Sequence, residues 1–459
     1  MYFRQFYLGC LAHASYLIGS GSEAAVVDPQ RDIDIYLEDA SAHGFTIKHV
    51  IETHCHADFI SGHHELAART GARIYFGAQA AAKFDFVPVH EGDEIVMPNV
   101  ILRFLETPGH TPESISVLTF DRESSDAAPW GVLTGDTLFI GDVGRPDLLG
   151  SRLPATELAG MLYDSLHNKL LSLPDETKVF PAHGAGSMCG RNISNETSST
   201  IGEQRRFNYA LQPISRDAFI KMMTTDLPEA PSYFSRDAQI NLEGPVLIDE
   251  FPDPIAFLPE AVQKMQRGGH LILDTRPSSQ YGAGHILGSL NIGLAGQFAS
   301  WAGSLVKPDV PLLVVTEDAD RVREARTRLA RVGLEKVTGF LRDGVLAWHE
   351  AGLPLATIEQ MSVEELRQRI EEKSVDVVID VRRPPEWTSG HIEDAIHMPL
   401  NHLAESALSL NRDSKVAVIC AGGYRSSIAS SLLEQLGFRN ISNVVGGMTA
   451  WNVSCSGGL

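Results

Sequence analysis

Cysteine is scarce in this chain: Cys10, Cys55, Cys189, Cys420 and Cys455 are the five in 459 residues, an odd number scattered over a long sequence. A disulfide framework is therefore not expected, and free thiols in a reducing compartment are. Long apolar runs are also missing, with nothing approaching the ~18 residues a membrane-spanning helix needs. Basic residues are outnumbered, 38 against 58 acidic ones, giving a formal charge of −20. A field of that sign repels phosphate backbones and anionic headgroups, so neither nucleic acid nor a membrane is expected as a partner. The opening Met1-Tyr2-Phe3-Arg4-Gln5-Phe6 shows no basic stretch leading into an apolar core and a cleavage site. These absences make a cytoplasmic protein the expectation. What is present, 43% hydrophobic and 21% charged residues, is globular composition, and at ~150 residues per domain the length fits about three domains.

Short apolar runs in the N-terminal half end at His, Asp or Gly. Val26-Val27 precedes Asp28, Val50-Ile51 precedes His54, and Ile101 to Leu105 precedes His110; Val132-Leu133 precedes Asp136, and Val179-Phe180 precedes His183. Such runs bounded by turn residues predict buried strands. Between them Leu158, Met161, Leu162, Leu166 and Leu170 recur at helical spacing from Pro154 to Pro174. Strands alternating with helices predict a layered α/β domain with its site along one sheet edge. In Thr53-His54-Cys55-His56-Ala57-Asp58-Phe59, extended backbone would aim His54, His56 and Asp58 at one cavity and turn Cys55 away. Imidazoles and carboxylates converging from several strand ends suit a first-row divalent metal. Any one of these histidines alone would read more simply as a satisfied core residue. Residues from Gln212 to about Gly269 are Pro-rich and predict a connecting region with short helices.

The remainder contains a repeat. Leu273-Asp274-Thr275-Arg276 recurs as Ile379-Asp380-Val381-Arg382, Gly284-His285-Ile286 as Gly390-His391-Ile392, and Arg321 matches Arg425. Asp343-Gly344 to Trp348 recurs as Gly446-Gly447 to Trp451. Two copies are too few for a solenoid, so tandem parallel α/β domains are expected. In the second copy an apolar run leads into Cys420-Ala421-Gly422-Gly423-Tyr424-Arg425-Ser426 and then a helical pattern. A cysteine at a strand end and a helix N-terminus sits in an anion-binding concavity. That field, with Arg425 beside it, lowers a thiol pKa and makes a nucleophile. In the first copy Thr316 takes the cysteine's place, and Glu317, Asp318 and Asp320 fill the loop with negative charge, which predicts a catalytically silent copy.

The N-terminal half resembles the metallo-β-lactamase superfamily, whose hallmark is His-x-His-x-Asp-His with later His, Asp and His ligands. Phe59 departs from that pattern where the fourth motif residue serves a second metal. The run Gly135-Asp136-Thr137 to Arg145-Pro146-Asp147 and the run Pro181-Ala182-His183-Gly184 are similar to the persulfide dioxygenase branch. That resemblance implies mononuclear Fe(II), with zinc as an alternative occupant of purified protein, held by His54, His110 and Asp136. His56, Asp58 and His183 would orient ligands and water. Arg145 would either meet a carboxylate on the thiol carrier or pair with Asp142 or Asp147.

The repeat resembles the rhodanese sulfurtransferases, which makes Cys420 and Arg425 catalytic and Gly422, Gly423 and Ser426 the cradle. Four residues separate Cys420 from Arg425, a loop that suits sulfane sulfur rather than a larger tetrahedral anion. The fold class is thus α/β: a metallo-β-lactamase αβ/βα sandwich over 1–235, a linker and inactive rhodanese-like domain over 236–357, and a rhodanese domain over 358–459. The expected activity is O2-dependent oxidation of a small-molecule persulfide to sulfite, coupled to sulfur transfer between thiosulfate and thiol in either direction. Two alternatives stand beside it: a zinc thioester hydrolase of the glyoxalase II kind, and a non-catalytic carrier of sulfane sulfur. Dimers are common in the family, so a homodimer is a further expectation.

Overall fold

A computed structural model describes residues 1–459 apart from 125–126, 149–152, 228 and 457–459. The chain divides into two compact units, one of Met1–Phe251 with Leu329–Gly333, the other of Pro252–Arg328 with Leu334–Leu459.

The first unit is built on two six-stranded sheets. One runs in order β1 (Tyr2–Leu8), β2 (His13–Ser20), β3 (Glu23–Val27), β4 (Thr46–Ile51), β5 (Arg73–Gly77), β6 (Val87–Val89). The other comprises β7 (Glu94–Met97), β8 (Val100–Glu106), β9 (Ile115–Asp121), β10 (Gly131–Gly135), β11 (Lys178–Pro181) and β12 (Ser199–Thr200), again in chain order. Period-2 alternation explains the layering. Ala14, Tyr16 and Ile18 of β2 meet Val100, Leu102 and Phe104 of β8 in the core between the sheets. Leu17, one residue out of phase, joins Tyr36, Ala40 and Leu66 under the helices on the outer face. On the second sheet's outer face Leu118, Phe120 and Val132 pack against Ala159, Leu162 and Leu166. The result is the expected helix–sheet–sheet–helix sandwich, and β3, β4, β8, β10 and β11 all end beside the candidate ligands.

Two expectations are corrected. The first unit does not stop at 235 but runs to Phe251. The Pro-rich stretch is not merely connecting: Phe219 and Met223, in helix Arg216–Thr224, are core residues. Helix Phe234–Glu243 carries buried Asn241, which donates to the His56 and Phe59 carbonyls at 2.8 and 2.7 Å. The motif loop needs that helix to satisfy its backbone, so the domain cannot close before it.

The second unit holds two five-stranded parallel sheets, one per repeat. The first has the order β13 (Ile255–Phe257), β17 (Val337–Leu341), β16 (Leu312–Val315), β14 (Leu271–Asp274), β15 (Leu290–Asn291). The second repeats it with β18 (Glu359–Met361), β22 (Asn440–Val444), β21 (Lys415–Ile419), β19 (Val377–Asp380) and β20 (Ile396–His397). The four cysteines with described side chains, Cys10, Cys55, Cys189 and Cys420, are free thiols; the side chain of Cys455 lies outside the described set. Among the described residues no helix is long and apolar enough to cross a membrane.

Candidate metal centre and thiol loop

The metal motif begins where β4 ends. Asp28, at the end of β3 with φ of 50°, clamps its start by accepting from the Thr53 backbone N–H at 2.7 Å and the Thr53 hydroxyl at 2.8 Å. With its hydrogen given to Asp28, Thr53 Oγ1 can only accept from His54 Nδ1, 2.9 Å away. That fixes the tautomer and leaves the Nε2 lone pair free. His110 arrives at the same state independently, because its Nδ1 lies 2.8 Å from the Arg145 carbonyl, an acceptor only. Asp136 follows β10, and its Oδ1 accepts from His183 Nδ1 at 2.7 Å. A side chain on Gly135 (φ 52°) would lie 2.5 Å from Thr53 Oγ1, so this approach of β10 to the motif requires glycine.

What remains is a set of three buried, converging ligand atoms. His54 Nε2 and His110 Nε2 lie 3.7 and 3.5 Å from Asp136 Oδ2. His54 Nε2 and Asp136 Oδ2 have no hydrogen-bond partner among the described residues. Burial and the neighbouring imidazoles hold His54 far below the usual histidine range, so it is a neutral donor. Orphaned lone pairs fully out of water cost too much to leave unmet. The arrangement fits one divalent cation with open positions.

The other motif residues are engaged elsewhere. His183 Nε2 lies 2.8 Å from Asp58 Oδ2, making a chain Asp58–His183–Asp136. Burial alone would depress His183, but Asp136 and Asp58 outweigh it and raise its pKa well above the ordinary value. The same contact overcomes burial at Asp58 and brings its carboxyl down to about 2. His56 packs its ring 4.1 Å from that of His54, but its ligand atoms do not join the His54–His110–Asp136 set as strand alternation predicts, because the segment after Glu52 is not a strand. Its Nε2 turns to Asp28 at 3.2 Å and Glu52 at 3.6 Å. Burial raises Glu52 to about 8, and Ser61 donates to it at 2.6 Å. Phe59 is fully buried, 4.5 Å from the His56 ring. Cys189, buried beside Asp58 and His183, brings its sulfur within 4.8 Å of their ligand atoms. Arg145 takes the intramolecular alternative and forks onto Asp147, with both contacts at 2.7 Å. Cys55 points away from the centre, as expected, with Sγ on the Ala238 carbonyl.

In the second unit Cys420 follows β21, buried, and its sulfur accepts from the Gly423 N–H at 3.1 Å with Ser426 Oγ at 3.4 Å. Gly423 has φ of 99°, and a Cβ on Gly447 would sit 2.3 Å from the Cys420 carbonyl, so both glycines are steric requirements. Arg425 forks onto Glu386 at 2.6 and 2.7 Å. A cavity of about 410 Å³ opens on Cys420, lined also by Gly422, Tyr424, Arg383 and Arg425. Its far wall is Gly296, Gln297 and Trp301, from the first repeat, which has Thr316 in the cysteine's place.

Sequence reasoning missed Asp28, Glu52, Asn241 and the cavity wall. Asp28 ends an apolar run like the other site residues, so that signal was present; Asn241 and Trp301 carry none.

The sandwich with imidazoles and carboxylates at one sheet edge defines a metal-centre domain, and the glycine-cradled thiol at a strand end defines a sulfur-handling one. Comparison with known families agrees on both counts. Residues 8–183 match the metallo-beta-lactamase superfamily, and residues 258–351 and 362–454 each match the rhodanese-like domain. The chain belongs to the metallo-β-lactamase superfamily and carries two rhodanese-like domains. It is 30% identical over 217 residues to a mitochondrial persulfide dioxygenase of Bos taurus, covering 46% of this chain and 75% of the relative. It is 37% identical over 161 residues to a hydroxyacylglutathione hydrolase of Rhodospirillum rubrum, covering 35% of this chain and 56% of the relative. A crystal structure of a metallo-beta-lactamase from Staphylococcus aureus superposes with a TM-score of 0.66 at 33% identity, covering 74% of this chain and 98% of that one.

Proposed function

We propose that this protein oxidises a low-molecular-weight thiol persulfide with O2 and exchanges sulfane sulfur at Cys420. The observation that carries the reading is the converging set His54, His110 and Asp136, with Phe59 where a second metal's histidine would stand. Two imidazoles and one carboxylate with open positions are the donor set of non-haem Fe(II) oxygen chemistry. Such an ion, when bound, supplies the one-electron steps that triplet O2 requires. The chain's own residues then aim the ligands and keep the proton inventory. Thr53 and the Arg145 carbonyl hold both imidazoles in the ligating tautomer. His183, cationic between Asp136 and Asp58, steadies the ligating carboxylate. The reaction balances as R-S-SH + O2 + H2O giving R-SH, sulfite and two protons.

At the other site the Cys420 thiolate attacks the outer sulfur of thiosulfate, forming Cys-S-S⁻ and releasing sulfite. A thiol then takes that sulfur, regenerating Cys420 and forming R-S-SH. The cavity of about 410 Å³ is larger than thiosulfate needs and lies in the size range of organic ligands. It therefore accommodates the thiol carrier, a glutathione-like molecule whose carboxylates suit Arg383.

The test is oxygen uptake with glutathione persulfide on protein whose metal has been quantified. Consumption of one O2 per persulfide with about one iron per chain is expected, and Asp136→Ala should abolish it while sparing thiosulfate:thiol exchange. The hydroxyacylglutathione hydrolase relative keeps a second reading in view. Two zincs per chain with thioester hydrolysis and no oxygen uptake would establish that one instead.

A further inference from the structure

His13 opens β2, and its backbone is stitched to the strand end that carries His183. Ala14 N donates to Ala182 O at 2.7 Å, and Gly184 N donates to Ala12 O at 2.9 Å. The side chain is fully buried, yet neither ring nitrogen has a hydrogen-bond partner among the described residues. Its ring lies 4.1 Å from Phe59, 5.6 Å from His183 and 5.7 Å from His56. An imidazole thus stands against the very phenyl ring that displaces the superfamily's fourth motif histidine. Burial, with His183 and His56 beside it, drives its pKa far down and keeps the ring neutral, with one N–H to donate and one lone pair to accept. Leaving both unmet costs about 1–3 kcal/mol per group, which a hydrophobic residue at the same place would avoid. A core histidine with no task would be replaced at a gain.

We infer that His13 is a substrate-positioning residue, whose ring N–H hydrogen-bonds the anionic sulfur group of the persulfide beside the His54–His110–Asp136 centre. It is not a metal ligand, because among the described residues His13 joins none of the groups whose ligand atoms converge within 4.8 Å. The role rests on the persulfide reading of that centre. It also gives Phe59 a purpose: the phenyl ring closes the second metal position and backs the imidazole that faces the substrate.

The test compares His13→Phe, His13→Gln and His13→Ala with the parent, all as full-length, metal-analysed protein. Glutathione persulfide is titrated anaerobically into the Co(II)-loaded forms and followed by visible absorption, a readout independent of turnover. Loss of one hydrogen bond predicts about tenfold weaker binding in His13→Phe. KM for the persulfide should rise similarly in the iron form, with kcat and metal content near the parent's. His13→Gln, which keeps a donor, should retain affinity, and added imidazole should restore His13→Ala. If His13→Phe fails to fold, the Gln and Ala pair decides by the same criterion. Unchanged affinity with a raised Tm in His13→Phe would mark the ring as a structural orphan and overturn the inference, as would equal behaviour of the Gln and Ala variants. A parent enzyme that consumes no oxygen with persulfide would instead sink the functional reading itself.

Discussion

The two rhodanese-like copies share a frame down to individual hydrogen bonds. In the first, Arg276 forks onto Asp274 at 2.5–3.2 Å and donates to the Gly284 carbonyl at 2.9 Å. In the second, Arg382 forks onto Asp380 at 2.7–3.0 Å and donates to the Gly390 carbonyl at 2.7 Å. His285 stacks on Tyr281 at 3.9 Å just as His391 stacks on Trp387 at 3.6 Å. Then the loops diverge. Cys420 sulfur accepts a backbone N–H and opens on a cavity, whereas the Thr316 hydroxyl folds back onto the Asp318 carbonyl at 2.6 Å. Arg425 lines that cavity, while Arg321 pairs with Glu324 at 2.7 Å on the surface. The motifs that made the repeat recognisable are therefore shared frame; the two copies differ in a handful of loop residues that the frame positions.

The largest expected effect separates loop from frame. Cys420→Ser should lower thiosulfate:thiol exchange by at least about a thousandfold, the scale of losing a nucleophile, with persulfide oxidation near normal. Measuring both activities on one preparation checks it; loss of oxidation as well would show that the two sites are not independent. The frame predicts the opposite pattern. Asp274→Asn and Asp380→Asn each strand a buried guanidinium, which costs about 3–5 kcal/mol. Denaturant unfolding should show comparable losses in the two variants, although only one copy carries the loop cysteine. A loss confined to Asp380→Asn would mean the silent copy's clip is not doing the same job.

How much of this was legible beforehand follows the same division. His54, His110, Asp136 and His183 each end an apolar run, so the sequence pattern places them at one sheet edge before any coordinates are known. Cys420 and its glycines were legible for the same reason. Period-2 alternation failed for His56, because the loop after Glu52 is shaped by buried carboxylates from two strands and not by strand geometry. Arg145 was left between two partners, and only the backbone path showed that Asp147 lies within its fork. Asn241 and His56 are 185 residues apart, and no local pattern links a helix in a Pro-rich stretch to the carbonyls of a metal loop. His13 was invisible because it precedes its apolar run instead of ending it.

A smaller effect tests what the silent copy contributes. Its Asn291 accepts from Ser427 Oγ at 2.7 Å, and its Gly293 carbonyl accepts from the Tyr424 hydroxyl at 2.8 Å. These contacts hold the Cys420 loop against the wall that presents Trp301. Removing that indole should raise KM for a glutathione acceptor about three- to tenfold, the scale of one aromatic contact. The thiosulfate half-reaction should barely change, since a small anion needs only the cradle around Cys420. Equal effects on both half-reactions would mean that Trp301 supports the loop rather than the acceptor.

The smallest expected effect is the sharpest on the comparison. Thr316→Cys restores the missing thiol to the silent copy and, in a Cys420→Ser background, should restore almost nothing. The strand before it is correctly placed and the Asp–Arg clip behind it is intact, so geometry up to residue 315 is not the obstacle. What the new thiol would lack is the environment. Glu317, Asp318 and Asp320 replace the glycine-rich turn, so approaching thiosulfate meets three carboxylates, and a persulfide anion formed there would face the same field. The matching arginine, Arg321, meets Glu324 on the exposed surface, whereas Arg425 is held by Glu386 at the cavity wall. Sulfane sulfur released by cyanide after thiosulfate treatment should therefore stay below about a hundredth of that carried by Cys420 in the parent, because thiolate reactivity is set by the local field more than by the presence of sulfur. Stoichiometric loading of Thr316→Cys would show the reverse: that one atom, and not the loop around it, divides the two copies.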